Sequence, residues 1–179
     1  MFKLVETPVN GLKLMRPQIR QDERGELVKT FSAALFSESG IDFSPAEQFL
    51  SVSKKNVLRG LHFQNPPSDH NKLVFCSAGR VLDVVIDLRP AQSYGRIFSC
   101  EISRKEPSML FIPKGCAHGF LALEDGSEVL YLTDSVHDPR RDSGILWSSI
   151  DFDWGISTPI VSERDAKFCA WSKFDSPFA

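Results

Sequence analysis

Apolar and polar positions alternate most clearly in residues 81–88, VLDVVIDL. Leu82, Val84, Ile86 and Leu88 point one way, and Asp83, Val85 and Asp87 point the other. A period of two predicts a β-strand. KLVFC and the turn SAGR precede it. RPAQSYG, RIFSCEI, SMLFI, the turn PKGCAHG, FLAL, the hairpin signal EDGS and EVLYLT follow. Strands separated by turns at this spacing predict a sandwich or barrel. Helical signals are few. FSAALFSESG predicts a short helix ending near Gly40, and SERDAK predicts a second helix start with Ser162 as N-cap. No internal repeat, low-complexity tract or linker interrupts the pattern. The expected architecture is one mainly-β domain over residues 1–179, a small antiparallel barrel or jelly roll with a few short peripheral helices.

Composition narrows the function classes. A chain of 179 residues, 42% hydrophobic and 25% charged, fits one globular domain with one sizeable core. Lysine and arginine total 21 against 23 acidic residues, a formal charge of −2. Neither nucleic acid nor an anionic membrane is therefore an expected partner, although a local basic site for a phosphorylated small molecule is compatible. The opening MFKLVETPVNG lacks the apolar core of a signal peptide, and no apolar run approaches the roughly 20 residues of a membrane span. Cys76, Cys100, Cys116 and Cys169 show no CxxC spacing. Reduced thiols in a cytoplasmic protein are the expectation.

Two stretches carry candidate chemistry. RGLHFQ, residues 59–64, puts a cation, a glycine, an imidazole and an amide together between the polar run SVSKKN and the turn-like NPPSDHN. An ionisable ring thus falls in a short strand of buried character. In IPKGCAHGF, Pro113 and Gly115 shape a tight turn and His118 follows three residues later. The spacing P-x-G-x-x-H resembles the second motif of cupins. Metal-binding cupins add H-x-H and a carboxylate from an earlier motif. Here His62 is followed by Phe63 and Gln64, short of the three or four ligands of a stable metal site. Neither a metal nor another cofactor is expected.

Taken in order, NVLRGLHFQ, NKLVFCSAGRVLDVVIDLR, IPKGCAHGF, EVLYLT and GILW closely resemble the dTDP-4-dehydrorhamnose 3,5-epimerase family, from about Val9 to Asp165. The resemblance implies a cupin-type jelly roll and a homodimer. It implies a cofactor-free isomerase that inverts C3 and C5 of a nucleotide-linked 4-keto-6-deoxy sugar, in deoxysugar or surface-polysaccharide biosynthesis. It assigns His62 as the base, a role suited to an imidazole near physiological pH. Asp165 orients that ring and stabilises its protonated form. Lys72 places a cation near the ketone, where negative charge develops. Tyr131 returns a proton from the opposite face. Arg59 resembles an arginine contacting the pyrophosphate, and Arg24 one reaching a neighbouring subunit's nucleotide, where a planar donor fork suits phosphate. Glu47, His118, His137 and Trp154 complete the substrate-binding set that the resemblance implies.

Each residue also has a plain structural reading. His62 fits a hydrogen-bonded core histidine, and Asp165 a helix cap completed three residues after Ser162. Lys72 fits a solvated strand end, Tyr131 barrel packing, His118 a turn organiser, Arg24 an exposed turn and Trp154 the core. Jointly they supply base, orienter, cation and acid. The chain departs from the family pattern at Lys29, where glutamate is usual, at Glu47 (glutamine), at Phe49 (asparagine) and at His137 (tyrosine). No departure removes the base, orienter or acid, but several alter what surrounds the nucleotide or sugar. C3-only epimerisation, a different nucleotide, and a non-catalytic sugar-nucleotide-binding cupin therefore remain as alternatives. A metal-dependent oxygenase or isomerase is disfavoured by the missing H-x-H.

Overall fold

A computed structural model describes residues 3–178. In chain order the strands are β1 (Lys3–Val5), β2 (Lys13–Arg16), β3 (Ile19–Asp22), β4 (Gly25–Val28), β5 (Glu47–Ser53), β6 (Leu58–Gln64) and β7 (Lys72–Ala78). They continue as β8 (Arg80–Asp87), β9 (Ile97–Ser103), β10 (Met109–Ile112), β11 (Cys116–Ala122), β12 (Ser127–Thr133) and β13 (Asp142–Gly144), with one helix, α1 (Ala33–Glu38). One antiparallel sheet has the order β1-β2-β10-β7-β12-β5, and a second has β13-β6-β11-β8-β9. The β3–β4 pair forms a separate hairpin. This is the mainly-β, cupin-type jelly roll expected from the alternating pattern.

The two sheets bury Val74, Cys76, Val85, Phe120 and Val129 between them. Their outer faces are covered as well. Phe36 of α1, with Phe43, packs on Leu73, Phe75 and Phe111 outside the six-stranded sheet. The C-terminal segment sets Ile150, Trp154 and Phe178 on Leu61, Val84, Ile86 and Ala117 outside the five-stranded sheet. Burial of both faces explains why LVFC, residues 73–76, is uniformly apolar rather than alternating. It also gives VLDVVIDL its two apolar faces. Val84 and Ile86 point outward under the C-terminal segment, while Val85 points into the barrel together with Asp83.

The first predicted helix is α1. Gly40, at φ +71°, follows its C-cap. The Ile41 N–H donates to the Phe36 carbonyl (2.9 Å) and the Gly40 N–H to the Ser37 carbonyl (3.0 Å), closing a Schellman motif over an Ile41–Phe36 contact. The second predicted helix requires correction. Ser162 does cap, its Oγ accepting from the Asp165 N–H at 3.0 Å, but only a single 3-10 turn forms over Asp165–Lys167. The chain then extends so that Cys169 bridges Ile145 beside β13. The strands β1–β4 are too short, and β3 and β4 too exposed, to stand out in the pattern. Among the described residues no helix is long and apolar enough to cross a membrane, and all four cysteines are unpaired.

Candidate active site

The cavity of about 320 Å³ at the open end of the barrel takes its walls from both sheets. His62 on β6 and His118 on β11 come from the five-stranded sheet; Lys72 on β7 and Tyr131 on β12 come from the six-stranded sheet. Glu47, Arg59 and His137 stand on its lining with them.

The strand carrying His62 depends on its glycine. Gly60 lies at φ +119°, and a Cβ there would sit 2.6 Å from the Gly119 Cα and 2.7 Å from the His118 carbonyl oxygen. Only glycine permits β6 to approach β11 this closely. The close approach coincides with a register shift between His118 and Phe120, which leaves His118 directly opposite His62. It also aims the Gly60 N–H at Asp165 Oδ2, 3.0 Å away.

Asp165 is almost wholly buried, and its Oδ2 also lies 3.0 Å from His62 Nε2. Burial opposes ionisation of this carboxyl. Hydrogen bonding and charge from His62, with the Gly60 N–H and Ser162, outweigh burial and hold the group well below the usual carboxylate range. Arg164 Nη2 lies 2.8 Å from the same His62 nitrogen. A guanidinium only donates, so Nε2 cannot donate to Asp165 and accept from Arg164 at once. Donation to the carboxylate requires the Nε2–H tautomer, which would leave Nδ1 as the basic nitrogen. Arg164 spends its other donors on Asp142 and on Asp165 Oδ1 (3.2 Å). Burial lowers the His62 pKa from its ordinary value; Asp165 opposes that shift, while Lys72 and Arg164 add to it. The ring is therefore poised neutral, as a base must be.

Lys72 is buried, and its Nζ donates to the His62 carbonyl at 3.1 Å. Burial pushes its ammonium down to about 8, with Asp142, Cys116 and Asp83 pulling the other way. It is a desolvated cation in the cavity wall, not a solvated strand end. Burial pushes the Tyr131 phenol far above its ordinary range, so this group is held protonated. His118 Nε2 lies 2.9 and 3.0 Å from the two oxygens of Asp83, both residues being buried.

The rim is polar. Arg59 donates to Ser53 Oγ (3.0 Å) and to the Val52 carbonyl (3.2 Å). Glu47 Oε2 accepts from the His137 N–H at 2.8 Å. Gln64 binds the Ser68 carbonyl and His70 Nδ1 through its amide nitrogen and accepts from the Asp138 N–H, fixing the loop that carries His137.

Two expected site residues lie elsewhere in the single chain. Arg24 sits in the β3–β4 turn, 85% exposed, and pairs with Asp22. Trp154 is packed outside the five-stranded sheet, its Nε1–H donating to the Trp147 carbonyl at 3.2 Å. Its location is the core one, because the C-terminal segment uses its ring to cover β6 and β8 rather than to line the cavity. Conversely, sequence reasoning passed over Arg164 and did not single out Asp83 as a partner of His118. Asp83 left a signal, one of two acidic residues in the run VLDVVIDL, whose other residues are apolar. Arg164 left none beyond its place beside Asp165. Among the described residues no three His, Cys, Asp or Glu side chains group as a metal site; each cavity histidine facing a carboxylate has one such partner.

The geometry sets a carboxylate-held imidazole, a buried cation and a protonated phenol around one cavity. Known proteins share this framework. The family model for dTDP-4-dehydrorhamnose 3,5-epimerase matches residues 6–173. The dTDP-4-dehydrorhamnose 3,5-epimerase of Methanothermobacter thermautotrophicus is 37% identical over 170 residues, covering 92% of this chain and 91% of that protein. A crystal structure of the Bacillus anthracis dTDP-4-dehydrorhamnose 3,5-epimerase, with TDP and PPi bound, superposes with a TM-score of 0.93 at 29% identity, over 95% of this chain and 99% of that one. The Legionella pneumophila dTDP-6-deoxy-D-glucose-3,5-epimerase, in complex with dTDP-4-keto-L-rhamnose, gives 0.92 at 30% identity, over 98% and 95%. A match running nearly end to end in both sequence and backbone places this chain in the dTDP-4-dehydrorhamnose 3,5-epimerase family.

Proposed function

We propose that this isomerase inverts C3 and C5 of a dTDP-linked 4-keto-6-deoxy sugar without a cofactor, in deoxysugar biosynthesis. The observation that carries the reading is the placement of His62 and Tyr131 on opposing sheets of one cavity. His62 Nδ1 takes the proton from carbon, and the C–H electron pair moves into an enolate on the C4 oxygen. Asp165 stabilises the imidazolium that forms. Lys72 is the cation available to the enolate oxygen, in a setting dry enough for its charge to count. The Tyr131 O–H then delivers a proton from the other wall, and solvent restores both groups. Both centres flank the same ketone, so one base and one acid serve each in turn. The reaction is redox-neutral and made only of proton transfers, which these side chains supply. Arg59 at the rim suits the pyrophosphate.

The test is proton NMR of the dTDP-4-keto-6-deoxy sugar in deuterated water with the enzyme. Deuterium entering C3 and C5, with inverted product, is the expected result. Label at neither carbon leaves a binding protein, and label at C3 alone leaves a C3-only epimerase. The second outcome has specific support in Glu47, Phe49 and His137, which alter the cavity lining around a retained base and acid.

Assembly as a cytoplasmic homodimer belongs to the same reading. β5 is an edge strand with Leu50 and Val52 exposed on its outer side, and the β3–β4 hairpin exposes Ile19 and Leu27. A second copy would cover both, removing an unpaired edge. Arg24, at the tip of that hairpin, is free to reach the nucleotide of the other subunit. Sedimentation at micromolar concentration tests this, with a dimer expected and a fully active monomer contradicting it.

A further inference from the structure

Tyr131 is held on two sides. On one, the His118 ring meets it at 66° with centroids 6.0 Å apart, and His118 is itself fixed by Asp83. On the other, Phe49 stacks nearly parallel at 13° with centroids 4.6 Å apart. Phe49 is the direct cross-strand partner of Tyr131. It stands on an edge strand and is 45% exposed. The inner clamp is therefore buried and tied to Asp83, whereas the outer clamp is one half-exposed aromatic ring. A cross-strand aromatic pair of this geometry restrains both rings beyond simple area burial.

Resting on the epimerase reading, we propose that Phe49 is a positioning residue that holds the Tyr131 ring for proton return and so sets the fraction of deprotonations that end in inversion. After His62 has taken the proton, the enolate carbon has two donors. The imidazolium N–H regenerates the original configuration. The phenol O–H breaks in favour of a new C–H bond on the opposite face, leaving a phenolate that solvent reprotonates. Both routes return one proton to carbon and are balanced without any other reactant. They differ only in which donor is aligned. Misplacing a donor by about 1 Å costs far more than it changes binding. Without Phe49 the outer face of Tyr131 opens to water and the ring gains rotameric freedom, while His62 on the facing sheet and Asp165 on the C-terminal segment keep their geometry.

The experiment compares wild type with Phe49→Leu, Phe49→Met and Phe49→Tyr in deuterated water, reading inverted product per solvent-exchange event. The ratio should fall about threefold to tenfold in the Leu and Met variants, the size expected of one aromatic pair. It should be restored by Tyr, which keeps the ring. An unchanged ratio in Leu and Met overturns the proposal. So does an equal fall in Tyr. A second readout needs no substrate. The chain has two tyrosines, so tyrosine-labelled NMR gives two ring signals, and Tyr94→Phe assigns them. The Tyr131 ring signal should carry a ring-current shift that disappears in Phe49→Leu. A signal that does not move overturns the stacking in solution. If the shift behaves as expected but wild type exchanges no deuterium, the epimerase reading fails and takes the role of Phe49 with it, while the geometry stands.

Discussion

The barrel holds two histidine–aspartate contacts of nearly equal length on neighbouring strands, and they do different work. His62 and His118 face each other across β6 and β11. His62 meets Asp165 at 3.0 Å and His118 meets Asp83 at 2.9 Å. The His62 side chain is 27% exposed and its carboxylate arrives from the C-terminal segment, with Arg164 against the ring. The His118 side chain is 4% exposed and its carboxylate stands on β8, the next strand of the same sheet. The open pair can exchange a proton with a substrate. The closed pair ties adjacent strands and backs Tyr131. A shared contact distance says little about role; access and the origin of the partner decide it.

The largest effect should come from separating the two pairs. His62→Ala should lower C–H exchange by about 10³-fold, within the range for removal of a general base, and cost less stability than His118→Ala, because Asp165 keeps the Gly60 N–H and Arg164 as partners. His118→Ala should do the reverse in kind. It strips the partner from a fully buried carboxyl group and should cost about 3–5 kcal/mol of stability by chemical denaturation. Equal stability losses in the two variants would erase the distinction.

Lys72 sharpens the contrast, because its Nζ is bound to the His62 backbone. Lys72→Met should reduce exchange by about 10²-fold. It should also raise the melting temperature at neutral pH. Burial holds this ammonium down to about 8 against an ordinary 10.5, so the charged form opposes folding below that range. A stability loss as large as that of His118→Ala would contradict this.

Smaller shifts should appear in the pH profile of exchange. With His62 as the base, exchange requires the neutral ring and should be lost as pH falls through a pKa below the ordinary imidazole value. Arg164→Gln removes a cation that favours the neutral ring and should move this acid limb upward in pH. Asp165→Asn removes the opposing carboxylate and should move it downward, with a reduced plateau. Identical limbs in the three proteins would show that His62 is not the titrating group.

At neutral pH the smallest effect concerns an imidazole without a carboxylate contact. His70 is held by Gln64, and burial, with Lys72 adding, pushes its pKa down to about 3 from 6.5. The unfolded chain then binds more protons than the folded one between those values. Stability should decline as pH drops from about 6.5 towards 3. Denaturation curves of His70→Gln should lack this component of the slope.

Legibility in the sequence followed physical contrast. Strands such as β8 and β12 show apolar runs and bounded turns, so their positions were readable, and the Gly40 stop of α1 is a local backbone requirement. The pairing of strands was readable only through the family likeness, since the central strands bury residues on both faces and periodicity alone does not say which face meets which. The His62, Lys72 and Tyr131 positions were marked by motifs and meet in one cavity. Trp154 was not resolvable as core, because an indole among loose C-terminal turns reads the same in either place. Arg164 was hidden because its role arises from contact with a ring 102 residues away in the chain.

The tight seat of Gly60 has an evolutionary corollary. No side chain is smaller, and any added atom meets the backbone of β11. The strand beneath His62 therefore offers selection nothing to adjust at that point. Divergence in how the base behaves must be written into the segment that comes to meet it, through Arg164, Asp165 and Phe168, whose ring edges His62 at 5.6 Å. Within this fold the strand under His62 is the constrained part, and the C-terminal segment is where the setting of that ring can be altered.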